Sequence, residues 1–298
     1  MAHTQRPRFE WRLRSRTVGL GARTLVMGIV NATPDSFSDG GQFLGPDAAL
    51  DRAPRMLDEG ADLIDLGGES TRPNATPVSA REEQARVLPV LRAVLAARPD
   101  AIVSIDTYHA ETARLAVEAG AEIVNDVSGL LWDAAMAATC ASLACGVVLM
   151  HTRGRPHEWG MLPALAPGEV LPRVCGELKE RAKTALDAGI VREAIVLDPG
   201  FGFGKRPDEN YLLLAHLDAL HAPGYPLLAG LSRKSFLRRA LDQAALAQSE
   251  SAHALQDATT AANTAAILAG AHILRVHDIR PARAAADLAD RILAAAQS

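Results

Sequence analysis

Residues 193–207 read EAIVLDPGFGFGKRP, a β-branched apolar run that stops at a carboxylate and gives way to alternating glycines. Its glycines and terminal lysine suggest a phosphate cradle, but the spacing refuses that reading. A P-loop needs Gly, four residues, then Gly-Lys-Ser/Thr. Counting back from Gly204-Lys205, the first glycine falls on Pro199, and Arg206 follows the lysine where a hydroxyl is needed. Gly200, Gly202 and Gly204 alternate, which also breaks the Gly-x-Gly-x-x-Gly dinucleotide pattern. What remains is a short buried strand that ends on Asp198 and a glycine loop beyond it.

Working outward, seven further apolar runs share this form: 24–31, 62–67, 101–106, 122–126, 146–151, 226–232 and 272–277. Helix-length Ala-rich segments lie between most of them, among them 47–60, 79–97, 109–119, 168–188 and 280–296. Eight strand-helix units predict an α/β protein, a single (β/α)8 TIM barrel over residues 23–298. The rival, a doubly wound open sheet, calls for a first-turn glycine fingerprint that this chain lacks. GADLIDLGG, GAEIVNDVSG and GAHILRVHD form a faint internal repeat of one such unit. Residues 1–22 form a short N-terminal extension whose alternation, in FEWRLRSRTVGL, predicts a hairpin under the barrel.

Composition narrows the function. A formal net charge of -4 argues against nucleic acid and the membrane surface as partners. Three cysteines without CxxC spacing predict free thiols in a reducing compartment. No run reaches the roughly 18 apolar residues of a membrane helix, and the basic N-terminus has no signal-peptide core. A cytoplasmic, soluble enzyme is expected.

In such a barrel the active site lies at the C-terminal ends of the strands. Read in order, those tips carry Asn31, the run 67–72, Asp106, Asn125-Asp126, Met150-His151, Asp198, Ser232-Arg233-Lys234, and Arg275 with His277. Burying such groups costs several kcal/mol unless they pair with each other or a ligand.

The motifs MGIVNATPDSFSDGG (27–41), DLGGESTRP (65–73), SIDT (104–107), NDVSG (125–129), LMH (149–151), LDPGFGFGK (197–205), SRKS (232–235) and RVHD (275–278) resemble those of the dihydropteroate synthases. The resemblance implies a (β/α)8 transferase of folate biosynthesis, the sulfonamide target. It implies condensation of 6-hydroxymethyl-7,8-dihydropterin diphosphate with p-aminobenzoate by C–O cleavage, with Mg2+, in a homodimer. Carried onto this sequence, it assigns the pterin to Asp106, Asn125, Met150, Asp198, Lys234 and Arg275. It assigns the diphosphate to Asn31, Arg72, Arg275 and His277, with the metal at Asn31. The p-aminobenzoate slot falls to Thr71, Pro73, Phe203 and Ser235. Asp35, Arg72, Lys234 and Arg275 are the expected catalytic groups, Asp35 offsetting positive charge that develops on the pterin. The residue types suit these parts: a carboxylate accepts two parallel N–H donors at once, an amide meets a mixed edge, and a guanidinium stacks on a flat ring. The loops 32–46 and 68–78 are expected to be lids.

Other groups read as structural. Asp62 and Asp65 are expected to be ordinary strand-end polar residues, Asp126 a helix cap, and His151 a structural hydrogen-bonder. Lys205 is left facing either the phosphate or solvent. His109, His157, His216, His221, His253 and His272 fit no motif. Two rivals share the barrel: a pterin-binding methyltransferase serving a corrinoid protein, and a non-catalytic pterin-binding paralogue. The first has no use for the diphosphate motifs. The second is disfavoured by the presence of Arg72, Lys234 and His277.

Overall fold

The computed structural model describes residues 6–32, 46–69, 77–243 and 251–296. Short buried runs form the strands of one parallel sheet: β3 (Leu25–Asn31), β4 (Leu63–Gly67), β5 (Val103–Asp106), β6 (Ile123–Asp126), β7 (Gly146–Met150), β8 (Ile195–Asp198), β9 (Leu228–Ala229) and β10 (Ile273–Val276). They run in the order β8-β7-β6-β5-β4-β3-β10-β9. A parallel bridge between Leu197 and Leu227, with the Leu197 N–H donating to Pro226 O at 3.0 Å, brings the two edges together. The result is the expected eight-stranded barrel. The seventh run of the barrel is shorter than its apolar pattern. Pro226 has no N–H to give to a ladder, and by Leu231 the chain has turned, with the Lys234 N–H donating to Leu231 O at 3.2 Å.

Helices surround the sheet: α1 (Pro46–Asp58), α2 (Ala80–Ala97), α3 (Ala110–Glu118), α4 (Met136–Leu143), α5 (Pro167–Asp187), α6 (Pro207–Ala215), α7 (Ser235–Gln243), α8 (Ser251–Leu268) and α9 (Ile279–Ala295). Pro167 and Pro207 open their helices where a missing N–H costs nothing. Small residues dominate the inward faces, Ala110, Ala113 and Ala116 on α3 and Ala282, Ala286 and Ala289 on α9. The core between helices and sheet is therefore filled almost without aromatic rings.

The extension is a hairpin. β1 (Phe9–Arg12) and β2 (Thr17–Leu20) pair antiparallel, Phe9 with Leu20 and Trp11 with Val18. Trp11 and Leu13 are buried against Leu25, Leu63, Ile123 and Val196, and the Trp11 indole donates to Ala194 O at 3.0 Å. This closes the N-terminal mouth of the barrel. His272 ties the preceding tail in place. Its Nδ1 accepts from the Leu227 N–H at 3.1 Å, and Nε2 lies 3.0 Å from Pro7 O, which only accepts. The ring is therefore neutral with its proton on Nε2, and burial pushes its pKa down to about 3. Cys140, Cys145 and Cys175 are free thiols. Among the described residues no helix is long and apolar enough to cross a membrane.

Candidate active site

Side chains alternate faces along a strand, so residues two apart share the barrel interior. Five strands use this in the same way. Leu63 is followed inward by Asp65, Ile123 by Asn125, Val148 by Met150, Val196 by Asp198, and Ile273 by Arg275. In each pair the first residue belongs to the apolar plug. The second lines the C-terminal mouth.

Arg275 organises that mouth. Its Nε donates to Asp65 Oδ2 at 2.6 Å, and an Nη donates to Asp106 Oδ2. Burial opposes the guanidinium charge, but Asp65 and Asp106 outweigh it and hold Arg275 firmly protonated. The Asp106 carboxyl is pushed up to about 7 by burial, with Asp65, Glu83 and Asp126 adding repulsion and Arg275 opposing. Asn125 donates from Nδ2 to Asp65 Oδ2 at 3.0 Å. Asp198 accepts the Gly200 N–H on Oδ1 at 2.7 Å. Burial raises its pKa against that bond and the charges of Lys234 and Arg275. Its Oδ2 lies 3.8 Å from the position a Cβ would take on Gly230, so the glycine keeps the space beside the carboxylate open. Lys234 Nζ sits 4.0 Å from the Phe203 ring centroid, a cation–π contact. Burial, then Arg275, lower its pKa to about 8. Met150, Phe203 and Val127 form an apolar wall backed by Tyr108, Trp132 and Trp159.

The glycine loop is explained by its backbone. Gly200 and Gly202 have φ of 66° and 83°, the left-handed region. A Cβ on Gly200 would fall 1.9 Å from His151 O. The loop wraps the Lys205 ammonium, which donates to His151 O, Gly200 O and Phe203 O at 3.2, 2.7 and 3.3 Å. Lys205 therefore faces neither phosphate nor solvent. It is an internal clamp holding the loop between Asp198 and Phe203, and burial lowers its pKa to about 7. His151 lies behind it, fully buried, with Nε2 3.2 Å from Glu177 Oε2, in a structural place.

Beside the acidic and amide groups lies a cationic edge. His277 donates its backbone N–H to Ser232 Oγ at 3.2 Å, and its Nδ1 lies 2.9 Å from the same oxygen. Burial, then Arg233, Arg275, Arg52 and Lys234, hold the His277 pKa well below its ordinary value. Arg233, with φ of 59°, is paired with Asp278 at 3.0 Å. Ser235 is exposed at the first position of α7. Asn31 ends β3 beside Gly67, and a Cβ on that glycine would lie 3.6 Å from both Asn31 Oδ1 and Asp106 Oδ2.

The structure thus gathers Asn31, Asp106, Asn125, Met150, Asp198, Phe203, Lys234, Arg275 and His277 at one mouth. Asp35, Thr71, Arg72 and Pro73, and most of both expected lids, lie outside the described residues. Two structural readings change. Asp65 is not an ordinary strand-end residue: it is completely buried and bonds Arg275 and Asn125. Asp126 closes a turn instead of capping a helix, accepting the Ser128 and Leu130 N–H groups at 2.7 and 2.8 Å. Asp62 keeps its ordinary role, accepting from Val26 N–H at 2.9 Å and Arg23 at 3.0 Å.

The mouth of this barrel combines carboxylates, an amide, a lysine and an apolar wall, and the chain matches the pterin binding enzyme family over residues 27–277. It is 44% identical over 255 residues to the dihydropteroate synthase of Streptococcus pyogenes serotype M3, covering 86% of this chain and 90% of that one. The Yersinia pestis dihydropteroate synthase solved as a sulfonamide drug complex is 38% identical with a TM-score of 0.86, covering 96% of this chain and all of that one (100%). The Xanthomonas albilineans dihydropteroate synthase in complex with 7,8-dihydropteroate is 37% identical with a TM-score of 0.80, covering 97% and 99%. The chain belongs to the dihydropteroate synthases, which are transferases.

Proposed function

We propose that the protein condenses 6-hydroxymethyl-7,8-dihydropterin diphosphate with p-aminobenzoate, forming 7,8-dihydropteroate and releasing pyrophosphate, in folate biosynthesis. The observation that carries this reading is the convergence of Asp106, Asn125, Asp198, Lys234 and Arg275 on one pocket beside a cationic edge.

The pterin ring enters the mouth with its two parallel N–H donors on Asp198, a charge-assisted pairing. Asp106 and Asn125 take the remaining polar rim. Lys234 donates to the ring carbonyl and nitrogen, Arg275 lies along the ring and reaches the diphosphate, and Met150 supports a face. The C–O bond at the pterin methylene breaks, and its electron pair leaves with pyrophosphate. The amine nitrogen of p-aminobenzoate then forms the new C–N bond and loses a proton. No side chain acts as nucleophile. Arg72, Arg275, His277 and Asn31 hold the leaving group, Asp35 offsets charge on the dihydropterin, and placement of these charges supplies the rate. Thr71, Pro73, Phe203 and Ser235 form the p-aminobenzoate slot, where a sulfonamide competes.

The described residues contain no cluster of three metal-ligating acidic, histidine or cysteine side chains. Mg2+ takes few protein ligands and keeps its waters, and Asn31 Oδ1, at the end of β3 beside Gly67, would be its protein oxygen next to the diphosphate. When bound there, the metal neutralises charge on the leaving pyrophosphate. Residues 23–298 act as the catalytic domain of a cytoplasmic homodimer in this reading.

Pyrophosphate release is the test, in Mg2+ with both substrates and a control without the amine. Release that depends on p-aminobenzoate and disappears in Lys234→Ala supports the proposal. Pterin binding without release removes it and leaves a binding paralogue or methyltransferase.

A further inference from the structure

Asp65 lies at the base of the mouth and is completely buried. The plug beneath it, with Met27, Leu63, Val148, Val196, Leu228 and Ile273, is apolar. A carboxylate there is costly to bury and gives packing that an aliphatic side chain provides better. Among the described residues its bonds go only to pocket residues: Oδ2 accepts both Arg275 Nε at 2.6 Å and Asn125 Nδ2 at 3.0 Å. Its other oxygen, Oδ1, is buried with no partner among the described residues, as is Ser104 Oγ on the adjoining strand, in register with Asp65.

The contact with Asn125 removes an ambiguity of the amide. An ionised carboxylate only accepts, so the NH2 of Asn125 must face Asp65. The carbonyl Oδ1 is then the atom left for the ligand, together with the second N–H. Arg275 is constrained at the same time. With Nε on Asp65 and one Nη on Asp106, its plane is set.

We propose that Asp65 is a positioning residue for the pterin: it presents the Asn125 carbonyl as an acceptor and fixes the Arg275 plane between two carboxylates. This rests on the mouth being a pterin pocket. The bound ring must therefore offer a donor to the Asn125 carbonyl.

The test is Asp65→Asn, which keeps the shape and removes the charge. Asn125 can then turn over, and Arg275 keeps a charged partner only in Asp106. Pterin diphosphate affinity is expected to fall about ten- to hundred-fold, the range for one hydrogen bond to a charged group, with thermal stability unchanged or higher. The acid limb of kcat/KM is expected to move to lower pH. Asp106, which faces Asp65 on β4, Glu83 on α2, Asp126 on β6, Arg275 on β10 and Lys234 before α7, loses one repelling carboxylate. A packing role moves neither readout. Wild-type affinity and an unmoved acid limb in Asp65→Asn overturn the proposal. A measurement on the unaltered protein stands even if the variant fails to fold: the Asn125 side-chain NH2, observed by 15N labelling, is expected to show one strongly hydrogen-bonded, slowly exchanging proton before ligand is added. A freely exchanging NH2 overturns the proposal. Failure of the unaltered protein to bind pterin sinks the functional reading instead and leaves the NMR result to judge the clamp.

Discussion

At the N-terminal end of the barrel, Leu63, Ile123, Val148, Val196 and Ile273 are buried under Trp11 and Leu13 of the hairpin. Two residues further along the same strands, the chain presents Asn125, Met150, Asp198 and Arg275 to the open mouth, with Asp65 completely buried at its base. One end is sealed and apolar. The other holds carboxylates whose pKa values burial raises and a lysine whose pKa it lowers. Stability and recognition are thus separated along each strand by a single repeat of the pleat. The mouth keeps destabilising groups because the plug beneath it and the helices around it supply the folding energy.

The sharpest test of this division is Trp11→Ala. Removing a fully buried aromatic residue and its bond to Ala194 O is expected to cost about 3–5 kcal/mol of stability. Urea titration reads the loss, while kcat/KM of the folded fraction stays unchanged. A comparable fall in kcat/KM would show that the two ends are coupled. The mirror experiment is Asp198→Asn. It is expected to weaken pterin binding about a hundred-fold, since a charged acceptor is lost, with the melting temperature level or raised because a buried charge is gone. Calorimetry with the pterin substrate and a thermal melt give the two numbers.

Lys205→Met sharpens the comparison differently, because Lys205 lies at the functional end yet acts through three backbone carbonyls. Here stability is expected to fall by about 1–3 kcal/mol from the unmet acceptors. Activity falls with it, as the loop carrying Asp198 and Phe203 loosens; a loss of activity alone would place Lys205 in the chemistry. The smallest effect is the pH dependence of kcat/KM. Asp106 must be ionised to pair with Arg275 and the ring, and its carboxyl loses its proton near 7. Lys234 must keep its proton, which leaves near 8. The profile is expected to rise through about 7 and fall above about 8, the order in which the free protein's groups titrate. In Asp106→Asn the acid limb is expected to disappear; its persistence would assign it elsewhere.

Much of this was legible before any coordinates. Eight apolar runs, nearly all ending in a polar side chain and most separated by helix-length segments, determine the barrel, because a parallel strand buried on both faces must be apolar and a crossover helix must follow it. The tips Asp106, Asn125, Asp198, Lys234 and Arg275 could be read for the same reason: barrel topology places every strand end at one mouth. The alternation in FEWRLRSRTVGL likewise sufficed for the hairpin. Only the tertiary structure decided which neighbour each polar group meets. Asp65 and Asp62 sit three residues apart and look alike in sequence, yet one accepts from Arg275 and Asn125 and the other from Arg23 and Val26. Lys205 follows the glycines as a phosphate ligand would, but positive φ at Gly200 and Gly202 folds the loop back around its ammonium. Strand order, the direction of the pleat and the path of a loop set these partners, and they depend on residues more than 200 positions away, as Arg275 is from Asp65. Periodicity reports which face a side chain takes. The partner waiting on that face is a property of the closed barrel.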